Sequence, residues 1–508
     1  MSSDFASSSA GSPTGTAAAG GLDPRRWTAL ALLALVQFML ALDGTIVNVA
    51  LPTIKGDLGF SDHGLAWVIN GYTLVAGGFL IVGGRVADIF GRRRMFIVGT
   101  IVFAIASAVS GAAQSPGMLV GARFAQGLGE ALASPAALSL VVLLFRDPAE
   151  RAKAIGAWGG ITILGATLGV VISGVIVDAL SWRWIFLVNL PIAAIVIFVL
   201  PRMVAESRKA GSRSLDLTGA LLVTGALVLV VDGLLNASTH GWGSGAVLLP
   251  LGFGAALVAA FAVTQATFDA PLIPRAFFQN RTRVTANIAS IVASAAFLGM
   301  FFSVTLYMQD VLSYSPLKTG LAWGPFGLAL LVGIGTSMQL FPRFGVKSSL
   351  IFSYTVASIG LLLMSRIGTH GHYLTVLLPG MLLMAFGQGI SFPGVQMSGL
   401  HQLGVQDAGV GSAVQNTSVQ LGGSIGLAVL VTVGLRHTAA RLADHVAPLV
   451  AATDGYALAV KISAACMFSG AILVAALFEQ VEFVAPDQLA VEAAEAAAGE
   501  PVLTPAGS

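Results

Sequence analysis

Runs of about 20 mostly apolar residues recur along the whole chain, separated by short stretches rich in glycine, proline and charge. A helix rising ~1.5 Å per residue needs about that length to cross a hydrocarbon core of ~30 Å. The runs predict helices near 28–51, 65–86, 95–113, 118–144, 154–178, 184–203, 216–236, 245–268, 284–309, 317–341, 350–367, 374–397, 409–434 and 457–480. The pair from 216 to 268 is the least continuous, carrying Asp232 and several glycines, yet each half is long enough to cross. The pattern is that of an all-α, polytopic membrane protein with fourteen spans. The first 22 residues are dominated by Ser, Ala and Gly, with no basic stretch ahead of the first apolar run and no small-residue cleavage pattern behind it. That run is therefore expected to stay in the membrane. Residues 482–508, rich in Ala, Glu and Pro, cannot build a core, and both ends are expected to be disordered tails.

Composition removes other classes. The 508 residues are 56% hydrophobic and 10% charged, against about 25% charged in a soluble domain. A net charge of +2 leaves no bulk basic field for nucleic acid. The one cysteine, Cys466, excludes a disulfide framework or a thiolate metal site. His63, His240, His370, His372, His401, His437 and His445 fall in expected loops without metal-ligand spacing, so neither a metal nor another cofactor is expected. No Gly-Lys dipeptide occurs, which excludes a phosphate loop and an ATP-driven pump built on one. No enzymatic activity is indicated.

Charge position carries the remaining message. Of the 26 Lys and Arg, 18 fall on the side of the tails, seven on the other side, and Arg123 inside a span. The positive-inside rule then puts both termini in the cytoplasm. The loop after the second span, Ile89-Phe90-Gly91-Arg92-Arg93, has a counterpart after the tenth, Arg343-Phe344-Gly345-Val346-Lys347. Spans 1 to 6 and 9 to 14 would then be repeats, with 7 and 8 an inserted hairpin.

Ionisable groups in hydrocarbon normally face a partner or a cavity. Asp43 lies about 8 Å from the outer edge of the core and Arg123 about 7 Å, so the two can share a depth. Glu130 follows Arg123 by seven residues and returns to almost the same helix face, about 10 Å deeper. A carboxylate there is placed to load and release a proton near neutral pH, or to bind substrate. The alternative reading of Asp43 and Arg123 is an ion pair that only locks two helices. Asp232, Asp178 and Asp310 lie nearer the outer surface and are read as solvated ends. Spans 10 to 14 have no interior acid before Glu479, so a C-terminal cavity wall would draw on Gln388, Gln415, Asn416 and Gln420. Such a wall suits a neutral, amphipathic or weakly charged ligand. Small residues let spans approach closely: Gly165, Gly169 and Gly174 in span 5, and Gly422, Gly423 and Gly426 in span 13. Trp182 and Trp184 flank Arg183 like an interfacial belt.

At these residues the chain resembles the fourteen-span drug:proton antiporters of the major facilitator superfamily, over nearly everything between the tails. Residues Leu42-Asp43-Gly44-Thr45-Ile46-Val47-Asn48-Val49-Ala50-Leu51-Pro52 resemble that family's first-helix signature. Residues Gly84-Arg85-Val86-Ala87-Asp88-Ile89-Phe90-Gly91-Arg92-Arg93-Arg94 resemble the superfamily's loop motif, and Arg123, Gln126 and Gly127 the fourth-helix motif tied to proton coupling. Further similarity lies in residues 182–191, Tyr307-Met308-Gln309, Ser315-Pro316 and residues 411–426. The resemblance implies proton coupling through Asp43 and Arg123, to which the depth and face of Glu130 add a third candidate, for the proton or for substrate. It also implies a gating loop of Gly84, Asp88, Gly91 and Arg92. A substrate cavity would draw on Asn48, Gln126, Tyr307, Gln309, Asn416 and Gln420.

The implied architecture is a tail over 1–27, a six-helix bundle over 28–203, an inserted hairpin with its linkers over 204–283, a second bundle over 284–480 and a tail over 481–508. Two positions depart from the family pattern. Residues 169–174 lack the proline of the antiporter motif in helix 5, and Pro342 stands where the loop repeat would carry an acid. The expected function is export of drugs, antibiotics or other amphipathic molecules in exchange for protons, by a monomer in the bacterial plasma membrane. A proton-coupled importer of a small metabolite is the rival reading. Arginine greatly outnumbers lysine and Ala and Gly are abundant, as in GC-rich genomes, where such exporters often accompany antibiotic production.

Overall fold

The structure, a computed structural model, describes residues 26–145, 147–208, 216–268, 273, 275–403 and 408–479. Both tails, Arg25, Arg146, Lys209 and Arg213 lie outside the described residues. The described secondary structure is entirely helical. In chain order the α-helices are α1 (Arg26–Leu58), α2 (Asp62–Leu65), α3 (Trp67–Phe90), α4 (Arg92–Gly111), α5 (Pro116–Leu144), α6 (Pro148–Ala179), α7 (Trp184–Leu187) and α8 (Asn189–Val199). They continue with α9 (Leu217–Asn236), α10 (Gly245–Thr267), α11 (Arg281–Leu306), α12 (Pro316–Met364), α13 (Leu378–Gly399), α14 (Ala408–Ala443) and α15 (Pro448–Leu477). Among the described residues, 13 helical segments are long and apolar enough to cross a membrane.

Local sequence sets the starts. Ser115, Asp147 and Ser315 each precede a proline at the first helical position and accept the backbone N–H three residues on, at 3.3, 2.9 and 3.2 Å. At 49 residues α12 would run about 73 Å if continuous, more than twice the hydrocarbon core. Gly345 interrupts it with φ 76° and ψ 162°, dividing it into 316–344 and 346–364. The other Phe-Gly loop does the same: Gly91 ends α3 at φ 111°. Both loops thus use glycine at a backbone angle that side chains avoid, which gives the short sequence repeat a physical basis.

Packing repeats as well. α1 and α6 run parallel, with Gly165 against the Phe38 carbonyl and Gly169 against Leu42. A Cβ at either would come within 2.8 or 3.0 Å of those carbonyl oxygens. α11 and α14 run parallel in the same way, with Gly422 against Ile291 and Gly426 against Ala295. Antiparallel pairs recur too, α4 with α5 through Gly99 and Gly129, and the second part of α12 with α13 through Gly360 and Gly380.

Several sequence expectations need correction. α14 continues to Ala443 and α15 begins at Pro448, so His437 is helical rather than in a loop. The extensions hold together through Arg441 Nε and Asp454 Oδ2 at 2.9 Å. Trp182 is buried and donates to Asp57 Oδ2 at 2.9 Å, while Trp184 is exposed, so only the latter suits an interfacial belt. Asp178 and Asp310 are exposed as expected, but Asp232 is half-buried and accepts from Asn236 at 3.0 Å.

α1 to α8 and α11 to α15 meet along two seams. On one, Thr73 and Ser424 hydroxyls pair at 2.6 Å and Thr417 donates to the Gly77 carbonyl at 2.9 Å. On the other, Gly174 meets Pro316, Gly320 meets the Val170 carbonyl, and Gly327 meets Thr167. Gln309 adds a bond to the Val49 carbonyl at 2.9 Å. Toward the start of α6 no such contact continues: Cβ atoms at Gly156, Gly159 and Gly160 would meet nothing within 4 Å. That end of α6 lies beside the start of α1, where Arg26 pairs with Glu150 at 2.7 Å.

Candidate functional site

Two fully buried charges sit together between α1, α3, α4, α5 and α8. Asp43 and Arg123 have relative exposures of 0% and 1%. Arg123 Nη1 is bonded to Asp43 Oδ2 and donates to Gln126 Oε1 at 3.0 Å, while its Nε donates to the Val68 carbonyl at 2.9 Å. Its guanidinium lies 4.3 Å from the Tyr72 ring centre and 5.8 Å from that of Phe186. Gln126 Nε2 donates to Asp43 Oδ1 at 3.1 Å and to Ser107 at 2.8 Å, and Ser110 donates to Gln126 Oε1 at 3.2 Å. Asn189 Nδ2 donates to the same Asp43 oxygen at 3.0 Å and to Ser107 at 3.2 Å. Arg123, Gln126 and Asn189 all reach Asp43 as donors, so the shell satisfies the carboxylate as an anion.

Small residues make the convergence possible. Gly44 leaves the ring of Tyr72 beside Asp43, its Cε1 3.8 Å from where a Cβ would stand. Gly127 lets α5 press on α3, where a Cβ would come 3.0 Å from the Ala76 nitrogen. The structure therefore brings Asp43 and Arg123 together, as the shared depth suggested, and adds Gln126 to the same network. Asn189, Ser107, Ser110 and Tyr72 are members that the sequence reading did not single out.

Glu130 lies on the same face of α5 and is half-buried. Its Oε2 is buried with no hydrogen-bond partner, Tyr72 is a hydrogen-bonding neighbour of the carboxyl group, and Asp43 and Arg123 are its charged neighbours. The unpaired oxygen distinguishes it from the saturated carboxylate of Asp43.

The loop motif forms a second polar cluster at the other end of α3. Arg92 pairs with Asp88, its Nε 2.8 Å and Nη2 2.7 Å from Oδ1. Gly84 packs against Pro135 of α5. Glu206, beyond α8, accepts from the backbone N–H groups of Arg93 and Arg94 at 3.2 and 3.1 Å and so caps α4. A Cβ on Gly91 would strike this carboxylate at 2.6 Å. Arg93 donates to the Pro201 and Val204 carbonyls at 3.2 and 3.0 Å. Glu206 was legible only as a lone acid ahead of basic residues. In the repeat, Arg343 has no acid at Pro342 and lies over Phe344 at 5.4 Å.

The cavity candidates scatter. Gln126 and Tyr307 are fully buried, the latter bonded to the Gly368 carbonyl at 2.6 Å, so neither offers a free polar surface. Asn48 bonds its own helix, with Oδ1 unpaired. Gln309 closes on Val49, and Gln420 packs against Gly77. Asn416 is exposed. Of the helix-packing glycines, Gly165 and Gly169 face α1 and Gly174 faces α12. Among the described residues no group of acids, histidines or cysteine could hold a metal.

Comparison with known proteins matches this architecture. The sequence pattern of the Major Facilitator Superfamily covers residues 33–427. The puromycin resistance protein pur8 of Streptomyces alboniger is 37% identical over 91% of this chain and 93% of its own. The lincomycin resistance protein of Streptomyces lincolnensis is 37% identical over 80% and 84%, and the tetracenomycin C resistance and export protein of Streptomyces glaucescens 34% over 82% and 78%. In fold, the chain resembles an inward-facing bacterial homolog of the human lysosomal transporter Spinster, with TM-score 0.63 and 14% identity over 89% and 97% of the two chains. It also resembles the inward open xylose transporter XylE from E. coli, with TM-score 0.59 and 15% identity over 92% and 99%. With apolar helices of membrane length, a matched profile over most of its residues and relatives aligned over most of their length, this chain is a multi-pass membrane protein belonging to the major facilitator superfamily.

Proposed function

We propose that the chain is a proton-coupled exporter of antibiotics or other amphipathic small molecules across the bacterial plasma membrane, with both termini in the cytoplasm. The relatives named for puromycin, lincomycin and tetracenomycin C resistance support the substrate class. The observation that carries the coupling is the buried Asp43–Arg123 pair with Glu130 beside it. Breaking a buried ion pair by discharging one partner costs about 3–5 kcal/mol, so protonation of Asp43 releases Arg123 from a bond that holds α1 to α5. The displaced cation needs another acceptor, and the unpaired Oε2 of Glu130 supplies one on the same face.

Substrate enters from the terminal side, where the α6 end of the second seam is open. Rocking of α1 to α8 against α11 to α15 then exposes it to the other side. The organisation is two bundles, 28–203 and 284–480, with an inserted hairpin in 204–283. The reading is tested with purified protein in vesicles holding an imposed pH difference and a pH-sensitive dye. Addition of puromycin or lincomycin should consume the pH difference, and the difference should drive accumulation of the drug. Accumulation indifferent to the gradient overturns the proposal, and accumulation in the direction of proton flow establishes an importer instead.

A further inference from the structure

Asn189 occupies an unusual position. It is fully buried at the junction of α7 and α8, far along the chain from both partners it joins. Its orientation follows from chemistry, since only the amide NH2 can approach an ionised carboxylate oxygen at 3.0 Å. That choice leaves its Oδ1 buried with no hydrogen-bond partner. An orphaned buried acceptor is costly and rare, and here it belongs to the same amide that grips Asp43. The main chain around it is fixed from outside: Arg183 pairs with Asp57 Oδ2 at 2.6 Å and reaches the Ala113 carbonyl at 3.2 Å, while Leu187 packs on Gly111.

We infer that Asn189 is a positioning residue for the coupling carboxylate, an amide that presents its NH2 to ionised Asp43 and, after rotation, its carbonyl oxygen to protonated Asp43. The inference rests on the proton-coupled reading above. A carboxylate that gains a proton changes from acceptor to donor, and a neighbour offering both functions from one side chain can follow that change. Arg123 cannot, because it only donates. Gln126 cannot do so freely, because its Oε1 already accepts from Ser110 and Arg123. Asn189 has the acceptor to spare. Ser107, which accepts from both amides, can turn its own hydroxyl to donate when Asn189 rotates. The other titratable or charged groups facing Asp43 are Arg123 and Glu130 of α5 and Tyr72 of α3. α4 and α8 contribute only Ser107, Asn189 and neutral neighbours.

The test compares the pH dependence of gradient-driven drug accumulation in vesicles for wild type, Asn189→Leu, Asn189→Asp and Asp43→Asn, with melting temperature and yield as controls for folding. Leucine removes one donor to the anion, so the pH profile should move to alkaline values by on the order of one unit. Aspartate puts a second acid beside Asp43, and the profile should move further the same way. A purely packing role predicts lower yield or melting temperature with an unmoved profile in both variants, and that result overturns the inference. Retention of coupled transport by Asp43→Asn would instead overturn the proton-coupled reading itself. Should the leucine variant fail to fold, the near-isosteric aspartate variant decides the inference.

Discussion

At the residue scale, the two carboxylates of this site differ in how completely they are satisfied. Asp43 receives Arg123, Gln126 and Asn189, whereas Glu130 has a bare oxygen. The difference assigns separable tasks. Asp43→Asn keeps the shape and removes the charge, and it should abolish gradient-driven export while leaving the amount of protein in the membrane near wild type. Export assays beside immunoblots of membrane fractions check this, and unchanged efflux would exclude Asp43 from coupling. Glu130→Gln should leave transport measurable but alter its pH profile or the range of drugs exported. Wild-type behaviour in both respects would reduce Glu130 to a structural group.

The same scale shows what the sequence could disclose. Depth arithmetic brought Asp43 and Arg123 together because charges in apolar runs are conspicuous. Asn189 and Ser107 lie about 8 and 9 Å from the outer ends of their expected spans, nearly the depth of Asp43. They were legible by that arithmetic, but neutral polar residues are common in such runs and draw no notice. Tyr307 and Gln126 show the converse, since polar side chains in spans can be consumed by internal bonds that only the folded arrangement reveals.

At the element scale, the parallel pairs depend on missing side chains. Gly426 of α14 sits so close to Ala295 that a Cβ would come 2.6 Å from its carbonyl oxygen. Gly426→Leu should separate α11 from α14 and destabilise the protein by about 1–3 kcal/mol or more. Thermal melting in detergent measures the loss, while the same change at Gly156, which faces empty space, should leave melting nearly unchanged. The cap on α4 makes a second expectation. Glu206→Ala removes a carboxylate from two backbone N–H groups and should cost about 1 kcal/mol locally. Faster hydrogen exchange at residues 92–94 would register it.

Helix existence and type were readable from length and apolarity alone. Helix ends were not, because α14 and α15 extend beyond their apolar runs into stretches joined by the Arg441–Asp454 pair. The division of α12 was readable from the separate apolar runs at 317–341 and 350–367 and from the loop motif between them, where Gly345 breaks the helix.

At the scale of the whole molecule, the two seams join α1 to α8 with α11 to α15, and in the proposed transport cycle they hold one face closed. Thr73 with Ser424, Thr417 with Gly77 and Gln309 with Val49 are single bonds worth about 1 kcal/mol each. Thr73→Val combined with Ser424→Ala should therefore weaken closure enough to favour the opposite-facing state several-fold. Cysteine labelling from outside whole cells, at Gln309→Cys in this background, should rise relative to Gln309→Cys alone. An unchanged labelling rate would show that this seam does not limit opening.

α9 touches both sides of that seam. Its Thr224 lies against Gly78 of α3, and the carbonyls of its Leu234 and of Ala237 just past its end accept from Thr432 and Arg436 of α14 at 2.6 and 2.7 Å. α10 behind it is almost wholly turned outward, exposing Leu248, Leu249, Phe253 and Val263. Any sliding of α3 against α14 must therefore drag a splint whose outer partner presents bare apolar side chains, so a thicker or stiffer bilayer should slow turnover.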